Sequence, residues 1–218
     1  NLVGTEPKML EKMRGLLRSH VLANGDLGFI PEPMMEAIDA ANETTVYDFG
    51  QSEANYPLAR IYDLAARASE GDRANLPALG QALQDENPII RYWAAVGLRI
   101  LGSSADVPEA WIERALADPA PSVRIQAAIY LGRTGQRARA LDLLLEESRN
   151  ADGNMQSAWA LDGLKLLDAP EALDALSEAE IKVLRDKGVN SMRVLRLLQH
   201  QGSISQLPLN RLREMFGL

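Results

Sequence analysis

The 218-residue chain has no cysteine. That excludes disulfides, thiolate metal sites and cysteine nucleophiles, and leaves the redox compartment open. Histidine is nearly absent: only His20 and His200 occur, far apart, and each reads as a structural or surface residue. Aromatic residues make up 5% against an apolar share of 46%. Leucine and alanine therefore carry the hydrophobic content, as where helices pack closely on small side chains. Positive charge is also short, with 23 Lys and Arg against 30 Asp and Glu, a formal charge of −7 and a pI of about 5.0. Without a net positive field or a dense Lys/Arg cluster, no nucleic-acid partner is expected. No apolar run approaches a membrane span, and no basic-then-apolar signal segment opens the chain, so no membrane partner is expected either. Neither a cofactor motif nor a metal-ligand set is read. The first residue is Asn1 rather than Met, which reads either as an unrecorded start or as a fragment cut from a longer protein.

What the sequence has is an internal repeat. Asp85-Glu86-Asn87-Pro88-Ile89-Ile90-Arg91 lies over Asp118-Pro119-Ala120-Pro121-Ser122-Val123-Arg124 at an offset of 33 residues. Ala94-Ala95, Leu98 and Gly102 fall at the same offset on Ala127-Ala128, Leu131 and Gly135. Pro88 and Pro121 suit first helical positions, where the missing N–H costs no hydrogen bond. The Ala pairs allow close helix approach, and Gly102 and Gly135 suit left-handed ends. A third copy is degraded: Ala127 maps to Ala160 and Leu131 to Leu164, but Arg124 maps to Ser157 and Asp118 to Ala151. Two helices joined by a short turn cannot bury both faces alone, so stacked pairs make a continuous core. The expected fold class is all-α, an α-α superhelix of stacked helix pairs.

The spacing predicts a helix from Thr5-Glu6-Pro7, with Thr5 as N-cap, to a stop at Asn24-Gly25. An irregular connector follows at Asp26–Pro33, then a short helix from Pro33 to about Ala41. Asn42–Gln51 reads as a loop and Asn55–Ser69 as a helix. The pairs are Leu76–Leu83 with Pro88–Leu101, Val107–Leu116 with Pro121–Leu131, and Ala138 to about Glu147 with Asn154–Leu167. Closing helices are expected at Pro170–Leu176, Ser177–Asp186, Ser191–Gln199 and Leu209–Phe216, with Ser177 and Glu180 forming a capping box and Gly188 and Gly202 as stops. The organisation is an N-terminal module over 1–50, repeats over 51–169 and capping helices over 170–218.

The Asp-x-x-Pro-x-Val/Ile-Arg-x-x-Ala-Ala-x-x-Leu string resembles short HEAT-like repeats. Leu27-Gly28-Phe29-Ile30-Pro31-Glu32, after one helix and before such repeats, looks like the region following the catalytic core in some bacterial sulfatases. Asp85 to Ala95 looks like the first repeat of those regions. The resemblance covers roughly residues 10 to 165. It implies a periplasmic or extracellular parent and the chain's own catalytic domain, or another protein, as partner. The family's Cys/Ser-x-Pro-x-Arg nucleophile motif is absent, as are its paired Asp, Asn and His calcium ligands. No catalytic, cofactor or metal residue is therefore carried over, and the chain reads as non-enzymatic.

Asp85, Pro88, Arg91, Asp118, Pro121 and Arg124 recur with the architecture, so the expected role of the charges is a structural ladder. In it each carboxylate accepts from loop N–H groups or from a neighbouring unit's Arg; the alternative is an anionic binding row. Asp26 and Glu32 fit helix-stop and turn chemistry better than an acid–base pair. Phe29, Trp93 and Trp159 are the interface candidates, with packing in a core or groove preferred over ligand stacking. Tyr47, Phe49, Tyr56 and Tyr62 are expected to dock the polar loop onto the solenoid. The function expected is a non-catalytic scaffolding region making interdomain or protein–protein contacts. A free-standing interaction module is the alternative.

Overall fold

Proline and glycine punctuation divides the chain into short antiparallel helices. The computed structural model describes residues 4–41, 43–150, 153–169 and 172. Among these, α1 spans Pro7–Asn24, α2 Glu32–Ala41, α3 Val46–Gly50 and α4 Leu58–Glu70. The pairs follow as α5 (Leu76–Ala82) with α6 (Pro88–Leu101), α7 (Glu109–Leu116) with α8 (Pro121–Arg133), and α9 (Arg137–Arg149) with α10 (Asn154–Leu166). No strand occurs among the described residues. The fold is an all-α solenoid of helix pairs. The expected closing helices, the Ser177 capping box, Gly188, Gly202 and His200 lie outside the described residues.

Helix starts follow the residues that cannot continue upstream. Proline opens α6 and α8, and Asn87 caps α6 by accepting from Ile89 N–H at 2.9 Å. Gly102 and Gly135 take φ of 51° and 103°, a region side chains rarely enter, and so end α6 and follow α8. Several bounds depart from expectation. Glu6, not Thr5, occupies the N-cap position of α1, and its side chain makes no capping bond. α4 and α7 start later than read, because Pro57 and Pro108 take the N-cap positions. The stretch read as a loop contains α3, which Thr45 caps by accepting from Asp48 N–H at 3.1 Å. A single capped turn has too few residues to show a period, which is why it escaped.

The inner row of helices is α4, α6, α8 and α10, each packed on the next. Its core holds Leu79, Ala94, Leu98, Ile125, Ala128, Leu131, Leu144 and Leu164, all essentially buried. A second cluster joins the N-terminal module to the first repeat: Val21, Ile30 and Tyr56 pack with Ile61, Ile89 and Ile90. α4 belongs to the repeat array as an inner helix. Pro57-x-x-Arg60 repeats the Pro88-x-x-Arg91 and Pro121-x-x-Arg124 spacing, at 31 rather than 33 residues from the next copy.

Candidate interaction site

The repeated charges form a chain of contacts between successive units. Arg60 Nη2 donates to Asp85 Oδ2 at 2.5 Å. Arg91 forks onto Asp118, Nε to Oδ2 at 2.6 Å and Nη2 to Oδ1 at 3.0 Å. Arg124 forks onto Glu147, Nε to Oε1 at 2.5 Å and Nη2 to Oε2 at 2.9 Å. Each loop Asp also accepts two residues on, from Asn87 N–H at 2.9 Å or Ala120 N–H at 2.8 Å. Arg91 Nη1 donates back to the Asp85 and Glu86 carbonyls, and Arg124 Nη1 to those of Asp118 and Pro119. One guanidinium thus ties its own repeat's turn to the next repeat's carboxylate. Every charge in the row is committed to a neighbour.

Two members of this ladder escaped sequence reading. Arg60 sits at a 31-residue offset, visible only once the Pro-x-x-Arg spacing is used instead of a fixed period. Glu147 replaces the carboxylate that decayed to Ala151, but it comes from the last turn of α9 instead of the following loop. Gln156 Nε2 steadies it with a 2.9 Å bond to Oε2.

The N-terminal module lies on the inner face, and two of the three aromatic interface candidates, Trp93 and Trp159, bond to it there, while the third, Phe29, belongs to the module itself. Trp93 Nε1 donates to the Phe29 carbonyl at 3.0 Å, and the two rings lie 5.9 Å apart. Trp159 Nε1 donates to Glu32 Oε2 at 3.1 Å. Tyr92 bridges the two tryptophans, with ring centroids 5.3 Å and 5.8 Å away. Between them, at the same repeat position, stands Gln126, buried with its Oε1 unpartnered. Further along, the Glu36 carboxylate accepts from Asn154 N–H and Met155 N–H, each at 2.9 Å. A side chain of α2 therefore caps α10 from 118 residues away, satisfying donors that an α-helix leaves orphaned. Asp26 serves the connector's turn, accepting from Gly28 N–H at 2.8 Å. His20 is exposed on α1, 3.2 Å from Asn24 Nδ2. Of the aromatic group expected to dock the loop, Tyr56 is buried and donates to the Asp26 carbonyl at 2.6 Å, and Tyr62 meets Phe29 edge-on at 5.7 Å. Phe49 packs against the same cluster, but Tyr47 is exposed and docks nothing. It sits in the first turn of the short α3, on its solvent side.

The connector and α2 form a strap across the inner helices, and two clefts flank it. One of about 710 Å3 lies between α2, including Met34 and Ile38, and the Pro88, Pro121 and Arg124 starts of the inner helices. The other, of about 510 Å3, lies between α1 and α4 around Leu17, Arg18, Tyr62 and Trp93. Arg18 closes its edge by forking onto Asp63 at 2.7 and 2.9 Å, and that bond holds the Asp63 carboxyl below its ordinary range. Above it, α1 turns Met9, Met13, Leu16 and Leu17 outward, each more than half exposed. They recur at helical spacing and form one apolar stripe. Among the described residues no group of three acidic or histidine side chains could hold a metal ion, and no helix is long and apolar enough to cross a membrane.

A family model for HEAT repeats matches residues 76–165. These span the three helix pairs from α5 to α10, so this part of the chain is a HEAT-like repeat region. No curated protein and no solved structure matches the chain significantly. Repeats of this kind are generally non-catalytic and commonly mediate protein–protein contacts, which supports an interaction or scaffolding role.

Proposed function

We propose that this chain is a non-catalytic scaffolding region that joins another protein domain through the exposed stripe on α1. The stripe carries the reading. Four large apolar side chains on one helix face are costly to leave in water, at about 25 cal/mol per Å2, and such patches mark contact surfaces. The inner face, where a solenoid ordinarily takes partners, is already covered by the connector and α2. The repeated Asp85, Arg91, Asp118 and Arg124 are each committed to a charge of a neighbouring unit, so we assign them to architecture, with Pro88 and Pro121 as helix starts. Phe29, Trp93 and Trp159 are assigned to holding the strap. Residues 1–50, 51–169 and 170–218 act in this reading as docking module, repeats and cap.

In its finer form, the partner is the catalytic domain of a sulfatase-like hydrolase to which this region is attached. The Leu27–Glu32 segment and its position before the repeats support that form. A net charge of −7 disfavours holding a sulfated polymer, because like charges repel. Two observations test it. The parent gene should continue upstream of Asn1 in frame and carry a Cys/Ser-x-Pro-x-Arg motif; a start codon just before Asn1 sinks the sulfatase form. With the parent in hand, M13E and L16E should abolish co-purification of the two parts expressed separately while leaving the helical circular dichroism of this chain intact. Undiminished association would remove α1 as the contact. The free-standing interaction module stands as the second reading if the gene begins here.

A further inference from the structure

Three features of α1 and its surroundings define the kind of partner that the stripe fits. The first is charge. α1 carries Lys8, Lys12, Arg14 and Arg18 against Glu11 alone, in a chain whose net charge is −7. Arg14 is tied to Glu70 at 3.1 Å and Arg18 to Asp63. Lys8 and Lys12 are exposed and have no ion pair among the described residues. Lys12 stands one helical turn from both Met9 and Leu16, and Lys8 one turn from Lys12. Two uncommitted cations therefore edge the apolar stripe. The second feature is Gly15. A glycine inside a helix weakens it, and nothing within the described chain asks for one. Its φ lies outside the left-handed region, and a Cβ placed there would meet no atom within 4 Å. The third is the cleft of about 510 Å3 that Gly15 lines together with the Phe29, Tyr62 and Trp93 rings. Leu17 belongs both to that lining and to the stripe, so the two surfaces are continuous.

We propose that α1 receives an acidic amphipathic helix of the partner, whose aromatic anchor seats in the cleft against Gly15 and the three rings. This rests on the stripe being the docking surface. Carboxylates beside the partner's apolar face complement Lys8 and Lys12. An amphipathic helix laid along an apolar groove is a recurrent mode of recognition. The absent side chain at Gly15 lets the anchor approach the α1 backbone, and ring-lined hollows of this size take bulky apolar groups. An anionic lipid surface fits less well. α1 has no aromatic residue to sit at a bilayer interface, a flat surface leaves the cleft unfilled, and the chain's net charge opposes adsorption.

Fluorescence anisotropy of labelled helical peptides titrated with the full chain tests it. The probe peptide carries leucines and one Phe on its apolar face and glutamates along both flanks. One control replaces the glutamates by lysine, the other replaces the Phe by Ala. Saturable one-to-one binding of the probe is expected, weakened by added salt and about tenfold or more in each control. K8E/K12E should reverse the preference between glutamate and lysine flanks. G15L, whose side chain enters the cleft, should weaken the probe about tenfold while the chain melts no lower than the wild type. The surface pair K8E/K12E keeps the test valid if G15L fails to fold. Absence of saturable binding, or a preference for flank charge that K8E/K12E leaves unchanged, overturns the proposal. If M13E abolishes binding while K8E/K12E and G15L do not alter it, the stripe stands as the docking surface and only the acidic, anchored helix is lost. Binding undiminished by M13E removes the stripe itself. Adsorption to phosphatidylserine–phosphatidylcholine vesicles, or a concentration-dependent dimer, either one abolished by M13E, gives the stripe to a lipid surface or to a second copy and overturns the proposal.

Discussion

Removing the Asp118 carboxylate should damage the fold far more than removing its repeat equivalent, Asp85. Asp118 accepts three bonds, two from Arg91 and one from Ala120 N–H, and its side chain is 6% exposed against 15% for Arg91. D118A strands a guanidinium that is largely shielded from water. Breaking such a pair from one side costs about 3 kcal/mol, the lower end for buried pairs, because Arg91 keeps its bonds to the Asp85 and Glu86 carbonyls. Asp85 faces Arg60, which is 63% exposed. That pair is worth about 0–1 kcal/mol, so D85A should cost about 1 kcal/mol, most of it from the Asn87 N–H bond. For a chain of this size the gap corresponds to a midpoint lowered by roughly 6–12 °C in D118A against 2–4 °C in D85A. Urea unfolding followed by circular dichroism measures both, and R91A/D118A should cost less than the two single changes together. Equal costs for D118A and D85A would refute the idea that burial sets the worth of each rung.

Three further outcomes follow from the contacts of the N-terminal module. E36A should cost about 1–2 kcal/mol through loss of the α10 cap, with hydrogen exchange at the Asn154 and Met155 amides accelerating first. Y56F removes the buried O–H bond to Asp26 and should cost about 1 kcal/mol. In the wild type, burial raises the Tyr56 phenol well above its ordinary range, so its contribution is complete below about pH 10 and is lost as pH rises further. The Asp63 carboxyl, depressed first by the Arg18 hydrogen bond, should titrate below its ordinary value by NMR. Its contribution is present above about pH 4 and lost as pH falls through the folded value, and R18A should return it to normal.

The repeat was legible because proline, paired alanines and glycine mark turns and close approaches at one spacing. α6 occupies Pro88–Leu101 as its punctuation implies. Where the period slips, legibility fails: Arg60 lies at 31 residues, and Glu147 reaches its ladder place from a different element. The strap on the inner face was only half legible. Leu27, Phe29 and Ile30 signal an apolar connector, but nothing local marks Trp93 and Trp159 as its partners, since those bonds span 64 and 127 residues. The cap that Glu36 lends to α10 has the same origin, a long-range contact with no trace in either segment. The charges that recur with the period bond to neighbouring units, in keeping with the structural role we propose for them.

The central claim is that the inner face is closed by the chain's own N-terminal module, leaving α1 as the surface for a partner. Exchange of the Trp93 and Trp159 indole Nε1–H protons, followed by NMR, tests it most directly. Both protons should exchange slowly in the full chain and rapidly once residues 1–41 are removed, while the helical signal of the repeats persists. Fast exchange of both in the full chain would show an open inner face and contradict the account.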